Sequence, residues 1–288
     1  MDKNRILFES YNIAIEESYD SFFQSIESTN LLKDLKCEDE DLQKHLHSDM
    51  DKWGSAPIKE LDGNTPIQYL GGMGSLGAII EVFRAGAKFC DEGLPGCLLE
   101  RLREFGDAAD NALIALASDR SMLAGQEQEF LTPLMAVKVL GDWKVEKAVS
   151  HLIEILLESI SEDELLKENI KDALVNIGSP SISAIINALN CTEVFEDAHE
   201  YLLIVLSAIG AINRSNDIFM CLKSSFLRMQ NKVFGAICLG DYGDGRAIPA
   251  LRGFVEKNRD TIDAATYYEI KSAIQRLGGS MDDIVINF

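Results

Sequence analysis

The chain has 288 residues, of which 47% are hydrophobic and 26% are charged, so its composition is that of a folded protein with a sizeable core. Its formal net charge of −20 argues against nucleic acid as the main partner, because nucleic acid attracts proteins through Lys and Arg. A basic protein is the electrostatically favoured partner, although acidity that only keeps the chain soluble explains the same composition.

The acidic charge lies in the first two thirds of the chain. Residues 1–200 carry 17 Lys and Arg against 38 Asp and Glu, whereas residues 201–280 carry 10 against 7. The opening residues lack a signal-peptide pattern, and the longest apolar run, residues 201–212, is shorter than the roughly 20 residues of a membrane span. We therefore predict a cytoplasmic protein that has no membrane partner.

Residues 1–70 show no internal repeat. Helices are predicted near residues 5–28 and 38–50, and a turn-rich connector follows at residues 52–66. A further helix is expected to begin at Thr65-Pro66, a capping residue followed by proline. We interpret residues 1–70 as an N-terminal helical cap on the repeats that follow, and a separate small binding module is the alternative.

A glycine-rich stretch, residues 72–77, spells G-x-G-x-x-G, the pattern of a dinucleotide-binding turn. That turn needs a buried strand before it and an acidic residue at a second strand end. Here a short helix precedes it, and Glu92 lies in a turn. We therefore predict a turn between two helices, the second starting at Ser75, and no cofactor. The amides at that helix start have a weaker use, holding a carboxylate or phosphate.

A repeat organises the remainder of the chain. Six helix-like segments reach a glycine at intervals averaging about 34 residues, at Gly106, Gly141, Gly178, Gly210, Gly240 and Gly278. The residues one and four positions before each glycine are apolar in every copy, and the residue eight positions before is apolar in five copies. The residue five positions before is mostly small, which favours close helix packing. Each glycine is predicted to end its helix with left-handed backbone, and a turn and a second amphipathic helix follow.

One copy carries a resemblance to a known family. The segment "CLGDYGDGRAIPALRGFVE", residues 238–256, closely resembles the HEAT-like repeat of phycobilisome lyase subunits, and weaker copies extend the resemblance over roughly residues 75–288. The resemblance implies an all-α fold, a right-handed superhelix or HEAT-like α-solenoid over residues 71–288. It also implies a surface for protein interaction.

In HEAT-like folds the second helix of each pair usually lines the concave face, which here means the helices that reach the glycines. Four basic residues lie on these helices outside the apolar stripe, namely Arg103, Lys138, Lys171 and Lys271. We predict that they contact a partner. The alternative is that they only solvate the surface.

Candidate catalytic and metal-binding residues are sparse. His45, His47 and Cys37 suggest a metal site, but two residues on a helix two positions apart point to different sides, and no second ligand pair follows. His151 and His199 have no nucleophile or carboxylate that the sequence places beside them. The six cysteines show no C-x-x-C spacing and are predicted to be free and mostly buried. We expect no metal and no catalytic residue.

The predicted function is a non-catalytic protein-binding scaffold or adaptor, an inhibitor of a basic partner protein being one such role. The first alternative is a nucleic-acid enzyme similar to the DNA glycosylases built on HEAT-like repeats, for which only residues 201–280 have a suitable charge. The second is a lyase or chaperone subunit that acts on a bilin. No aromatic-rich or histidine-rich pocket motif supports this second alternative.

Overall fold

The computed structural model describes residues 2–28, 39–90, 93–123, 127–159, 163–284 and residue 286. These residues form helices joined by turns, and no strand occurs among them, so the predicted all-α class is confirmed. None of the described helices combines the length and the apolar character that a membrane crossing requires. The chain divides into two compact units, Met1–Ala136 (unit 1) and Val137–Phe288 (unit 2). The predicted boundary at residue 70 stays a prediction.

Unit 1 is built from helices of very different lengths. They are α1 (Lys3–Ser28), α2 (Asp39–Ser55), α3 (Pro66–Gly71), α4 (Leu76–Phe89), α5 (Gly96–Arg103), α6 (Asp107–Ala117), α7 (Arg120–Leu123) and the first part of α8 (Glu127–Asp142). Helix α1 packs against α2 and α4, α3 packs against α2 and α5, and α4 packs against α5 and α6. The order of packing therefore does not follow the order of the chain.

Local sequence signals explain several helix starts in unit 1. The Thr65 side chain accepts a hydrogen bond from the Gln68 amide, and Gln68 reciprocates, so the predicted start at Thr65-Pro66 is confirmed. The Ser75 hydroxyl likewise accepts from the Ala78 amide at the start of α4. Helix α2 runs five residues beyond its predicted end at residue 50, so assigning Trp53 to the connector was wrong.

Unit 2 contains helix–turn–helix pairs. Its helices after α8 are α9 (Val149–Glu158), α10 (Glu164–Ile177), α11 (Ile182–Cys191), α12 (Asp197–Ile212), α13 (Asn216–Arg228), α14 (Lys232–Tyr242), α15 (Ile248–Lys257) and α16 (Ala264–Arg276). Helices α10, α12, α14 and α16 pack one after another, and we call them the even row. Helices α9, α11 and α13 pack successively in a second row, which also contacts the even row.

The apolar stripe predicted from the repeat forms the core. The residues four positions before the repeat glycines are all fully buried: Leu102, Val137, Leu174, Leu206, Ala236 and Ile274. The residues one position before are buried in four copies and half-buried in the other two, Phe105 and Leu277. Spacings of three and four residues place these side chains on one side of each helix, which confirms the predicted stripe.

The repeat glycines fall into two groups. Gly106, Gly178 and Gly278 follow helix ends and have φ angles of 53°, 80° and 83°, which glycine adopts without steric cost. The prediction that glycine ends the helix is wrong for the other three copies, because α8, α12 and α14 continue past Gly141, Gly210 and Gly240. The left-handed residue that ends α14 is Gly243.

The glycines inside helices are sites of close helix contact. A Cβ atom built on Gly141 would lie 2.5 Å from the Cα atom of Ala173, a small residue five positions before the next repeat glycine. One built on Gly240 would lie 2.7 Å from Nη2 of Arg276. Gly210 is closed in by α13 and α14 in the same way. These glycines therefore let neighbouring helices approach, as the small residues were predicted to do.

Short 3₁₀ turns introduce the second helix of three pairs. They span Glu146–Ala148, Ser179–Ser181 and Gly245–Ala247, and the last residue of each is fully buried. An amphipathic helix follows each turn directly, as predicted from the repeat. Because a small buried residue ends each turn, the second helix lies close to the first.

Candidate functional site

The predicted contact residues differ in their surroundings. Arg103 on α5 and Lys138 on α8 have exposed side chains, Arg103 in unit 1 and Lys138 in unit 2. Lys271 on α16 is half-buried, and its Nζ atom lies 3.9 Å from a carboxylate oxygen of Asp282. Lys171 on α10 already binds carboxylates of its own helix. The role of these four residues in partner contact stays a prediction.

Carboxylates gather at the start of the even row. Lys171 donates a hydrogen bond to Glu168, which holds the pKa of Glu168 below its usual value, and lies 3.4 Å from Asp172. The Tyr201 hydroxyl on α12 donates to Glu164 at 2.7 Å. Burial, followed by hydrogen bonds to these carboxylates, raises the pKa of Tyr201. The tyrosine therefore stays a neutral donor that ties α12 to the acidic face of α10.

The same acidic face continues on α12. Asp197 lies 3.8 Å from Nζ of Lys167, a lysine whose side chain is almost fully buried. The amide of Asn231 donates to Glu200 at 2.9 Å, and burial raises the pKa of Glu200. We call five carboxylates on these two helices the acidic patch: Glu164, Glu168, Asp172, Asp197 and Glu200. The nearby lysines are buried or bound within it, so its outward charge is negative.

Apolar side chains accompany the acidic patch. Leu165 on α10 is 57% exposed, and Tyr268 on α16 is 60% exposed. On α12, Ile204 is half-buried and Ala208 is exposed. Ile204 follows Tyr201 by three residues, and Ala208 follows Ile204 by four. These positions lie on one side of α12. Leu165, Ile204 and Ala208 thus offer apolar contact area on the two helices that carry the acidic patch, a combination typical of a surface that binds a basic, partly apolar peptide.

Several arginines of the C-terminal third form ion pairs within the fold. Three arginines are each bound to a carboxylate: Arg246 to Asp244, Arg252 to Asp283 and Arg276 to Asp241. The hydrogen bond from Arg246 holds the pKa of Asp244 below its usual value. Part of the charge that kept the nucleic-acid alternative open is therefore neutralised locally.

A cavity of about 360 Å³ lies within unit 1, between α1, α2, α3 and the start of α5. Tyr11 and Tyr19 of α1 line it, and Trp53 of α2 lies 5.0 Å from Tyr11 between ring centroids. The carboxylates of Asp51 and Glu100 line it from α2 and α5. The sequence interpretation missed this cavity. The available signal was the spacing of eight residues between the two tyrosines, which places them on one side of a helix.

The glycine-rich turn has a structural role. It lies between α3 and α4 as predicted, and Nη2 of Arg101 donates to the Met73 carbonyl at 2.7 Å. A Cβ atom on Gly74 or Gly77 would meet no atom within 4 Å, so neither glycine is needed for close approach. Glu92, the acidic residue of the dinucleotide comparison, lies outside the described residues.

The histidines of α2 pair with carboxylates of the same helix. His45 Nε2 lies 3.2 Å from Asp49, and His47 Nε2 lies 3.7 Å from Asp51. Cys37, the third residue considered for a metal site, lies outside the described residues. Within the described part of the chain, no group of three or more His, Cys, Asp or Glu side chains is arranged to hold a metal ion.

The described cysteines are free thiols in unequal environments. Cys191 is exposed and Cys90 is half-buried, whereas Cys221 and Cys238 are buried, so the prediction that most are buried holds only in part. Burial raises the pKa of the Cys221 thiol to about 11 and that of Cys238 to about 12. These two thiols stay protonated at neutral pH and act as small apolar side chains.

No protein-family model, curated protein or solved structure matches this chain. The resemblance to HEAT-like repeats therefore depends on the residue pattern alone, chiefly that of residues 238–256. The function has to be inferred from the geometry and charge of the surfaces described above.

Proposed function

We propose that the chain is a non-catalytic binding scaffold that recognises a basic segment of a partner protein. The observation that carries this proposal is the acidic patch on α10 and α12, whose nearby lysines are already buried or bound to carboxylates. Exposed apolar side chains lie on the same row of helices. A peptide with alternating lysines and apolar residues would satisfy both features.

We also propose that the repeats form a HEAT-like α-solenoid over residues 71–288 with a helical cap at residues 1–70. The spacing of about 34 residues between repeat glycines supports this arrangement, as does the successive packing of α10, α12, α14 and α16. In such a fold the even row would form the concave side. Arg103, Lys138 and Lys271 would then bind acidic groups of the partner, whereas Lys171 would contact the partner through the carboxylates that it binds, Glu168 and Asp172. A cytoplasmic location would suit the free thiols.

The test is the binding of a fluorescent lysine-rich peptide, measured by anisotropy at several salt concentrations. We expect affinity to fall as salt rises, because exposed charges are screened beyond about 10 Å at 0.1 M ionic strength. A glutamate-rich peptide of equal length should not bind. Binding of both peptides, or salt-independent binding, would contradict the proposal.

Paired variants locate the interaction. Glu164→Gln with Asp172→Asn removes two charges from the acidic patch and should weaken binding about four- to twenty-five-fold, since each exposed ion pair contributes roughly two- to fivefold. Asp217→Asn with Asp260→Asn removes two charges from exposed positions outside the even row and is the matched control. Equal weakening by both pairs would show that only net charge matters.

The nucleic-acid alternative has its own measurement. A labelled DNA duplex should show no gel shift at low salt, because the arginines at 246, 252 and 276 are bound to carboxylates. A salt-sensitive shift would favour the nucleic-acid enzyme over the scaffold.

A further inference from the structure

The cavity of unit 1 has an aromatic wall that suits a cation. Tyr11, Ile15 and Tyr19 line it from α1 at spacings of four residues. The Trp53 ring is tilted by 56° against Tyr11, and its indole N–H donates to the Ser10 hydroxyl at 3.2 Å, which fixes the orientation of the ring. The face of an aromatic ring attracts an ammonium or guanidinium group, and tryptophan does so most strongly.

Carboxylates from two helices border the same cavity. Asp51 has His47 as an ion-pair neighbour at 3.7 Å, and Glu100 is exposed on α5. Of the described residues that line the cavity, none is a lysine or an arginine. The cavity therefore combines negative charge and hydrogen-bond acceptors with aromatic faces. A cation that also donates hydrogen bonds matches all three properties.

The remaining wall is neutral and the space is small. Burial raises the pKa of the Cys97 thiol to about 11, so at neutral pH it lines the cavity as an uncharged group. A volume of about 360 Å³ lies at the lower end of the roughly 300–1,000 Å³ typical of ligand pockets. Such a space accommodates a side chain and leaves no room for a packed helix.

We propose that this cavity binds the side-chain ammonium of a lysine presented by a protein segment. The alkyl stem packs against Tyr11 and Trp53, and the ammonium group donates to Asp51 and Glu100. The binding of an alkylammonium group depends only on the cavity. The further inference that a basic protein supplies this ammonium group rests on the proposed function.

The test uses Trp53 as the reporter. The chain has two tryptophans, so in a Trp143→Phe background only Trp53 emits. The full chain is titrated with Nα-acetyl-lysine methylamide and, separately, with the same compound acetylated at Nε. We expect a saturable change in Trp53 emission with a dissociation constant on the order of 1 mM for the lysine compound and no change for the uncharged one.

Matched variants decide whether the carboxylates of the cavity are responsible. Asp51→Asn with Glu100→Gln should raise the dissociation constant at least about fivefold. Glu16→Gln with Glu60→Gln removes the same charge from exposed positions that do not line the cavity, and it should leave the constant unchanged. Far-ultraviolet circular dichroism verifies that all variants keep their helices.

Three results would overturn the assignment: no saturable signal, equal binding of the acetylated compound, or equal weakening by both variant pairs. The scaffold proposal and the cavity assignment can fail independently, and the two binding experiments distinguish the failures. If the lysine compound binds but the lysine-rich peptide does not, the cavity assignment holds for a free alkylammonium and a protein source is wrong. If the peptide binds and the lysine compound does not, the cavity assignment alone is wrong.

Discussion

Units 1 and 2 are both helical, but they bury their helices in different ways. In unit 2 each even-row helix contacts the helix two places further along the chain, so one packing rule is applied repeatedly. In unit 1 the long helix α1 contacts α2 and α4, and α3 contacts α5, without a recurring order. The packing of unequal helices in unit 1 leaves the cavity beside Trp53.

The two units also differ in charge. Residues 1–136 carry 25 Asp and Glu against 12 Lys and Arg, and residues 137–288 carry 22 against 15. In unit 2 the two helices of the acidic patch carry five Asp and Glu against two Lys, and they supply part of the excess. Unit 2 thus carries the acidic patch, and unit 1 contains the cavity that we propose as a cation site.

The largest expected effect tests the close helix packing of unit 2. Gly141→Ala places a methyl group 2.5 Å from the backbone of Ala173, so the helices must separate. The free energy of unfolding should fall by about 2–3 kcal/mol. Gly77→Ala on α4 of unit 1 meets no atom within 4 Å and should raise stability by up to about 1 kcal/mol. Urea unfolding followed through Trp143 and Trp53 measures both, and equal effects would contradict the contrast.

A second comparison concerns buried hydroxyl groups. The Tyr242 hydroxyl in unit 2 is fully buried, donates to the Ser215 carbonyl at 2.9 Å and accepts from the Ser215 amide at 3.2 Å. Tyr242→Phe should lower the free energy of unfolding by about 1–3 kcal/mol, because it leaves the Ser215 amide unpaired. The Ser215 carbonyl keeps its second donor, the Phe219 amide. Tyr69→Phe in unit 1 removes one bond, to Asn4, from a half-buried site. A larger loss for Tyr69→Phe would reverse the expected order.

Loss of a helix-capping serine should lower the free energy of unfolding equally in the two units. The Ser75 and Ser215 hydroxyls each accept a hydrogen bond from a first-turn amide, at 3.3 Å and 3.2 Å. Replacing either serine with alanine should lower the free energy of unfolding by about 1 kcal/mol. If the losses in thermal or urea unfolding differ severalfold, local capping contributes to the contrast between the units.

The smallest expected effect is a pH dependence in unit 2. His199 Nδ1 accepts from the Glu196 amide at 3.2 Å, and burial lowers the pKa of His199. The folded state therefore favours the neutral ring, so its contribution to stability is full above the unfolded pKa of about 6.5 and is lost as pH falls through the lower folded pKa. The loss should stay below about 1 kcal/mol, because the ring is partly exposed.

His199→Gln keeps an acceptor for the cap and should remove this dependence. The exposed His151 on α9 provides the control, since His151→Gln should follow the wild-type profile. Unfolding midpoints at pH 7.5 and 5.5 measure the difference. Parallel profiles for His199→Gln and the wild type would contradict the role of this ring.

The sequence predicted unit 2 better than unit 1, for a physical reason. A repeated apolar stripe determines which side of each helix is buried, and residues such as Leu174 and Leu206 are fully buried as expected. The same stripe cannot tell a glycine that ends a helix from one that contacts a neighbour. Gly178 and Gly141 both follow an apolar residue in the sequence. They differ only in the structure, where Gly178 ends a helix with a positive φ and Gly141 lies against Ala173 of the neighbouring helix.

In unit 1 no sequence repeat indicates which side of each helix is buried. Trp53 was placed in a connector because Asp62-Gly63 and the prolines within residues 52–66 break helices, yet Trp53 packs against Tyr11 and is helical. The cavity itself needs residues from four elements spread between Tyr11 and Glu100. A local sequence pattern indicates which side of a single helix is buried. It does not indicate which helices pack together, so the cavity could not be predicted from it.

One contact of unit 2 has a consequence for the evolution of this chain. The guanidinium of Arg276 lies against the bare backbone of Gly240 and binds both Asp241 and Glu269. A methyl group at position 240 would displace that guanidinium and leave two carboxylates without their counter-ion. Substitutions at positions 240 and 276 should therefore occur together in related proteins, and a homologue with a bulkier residue at 240 should carry a shorter side chain at 276.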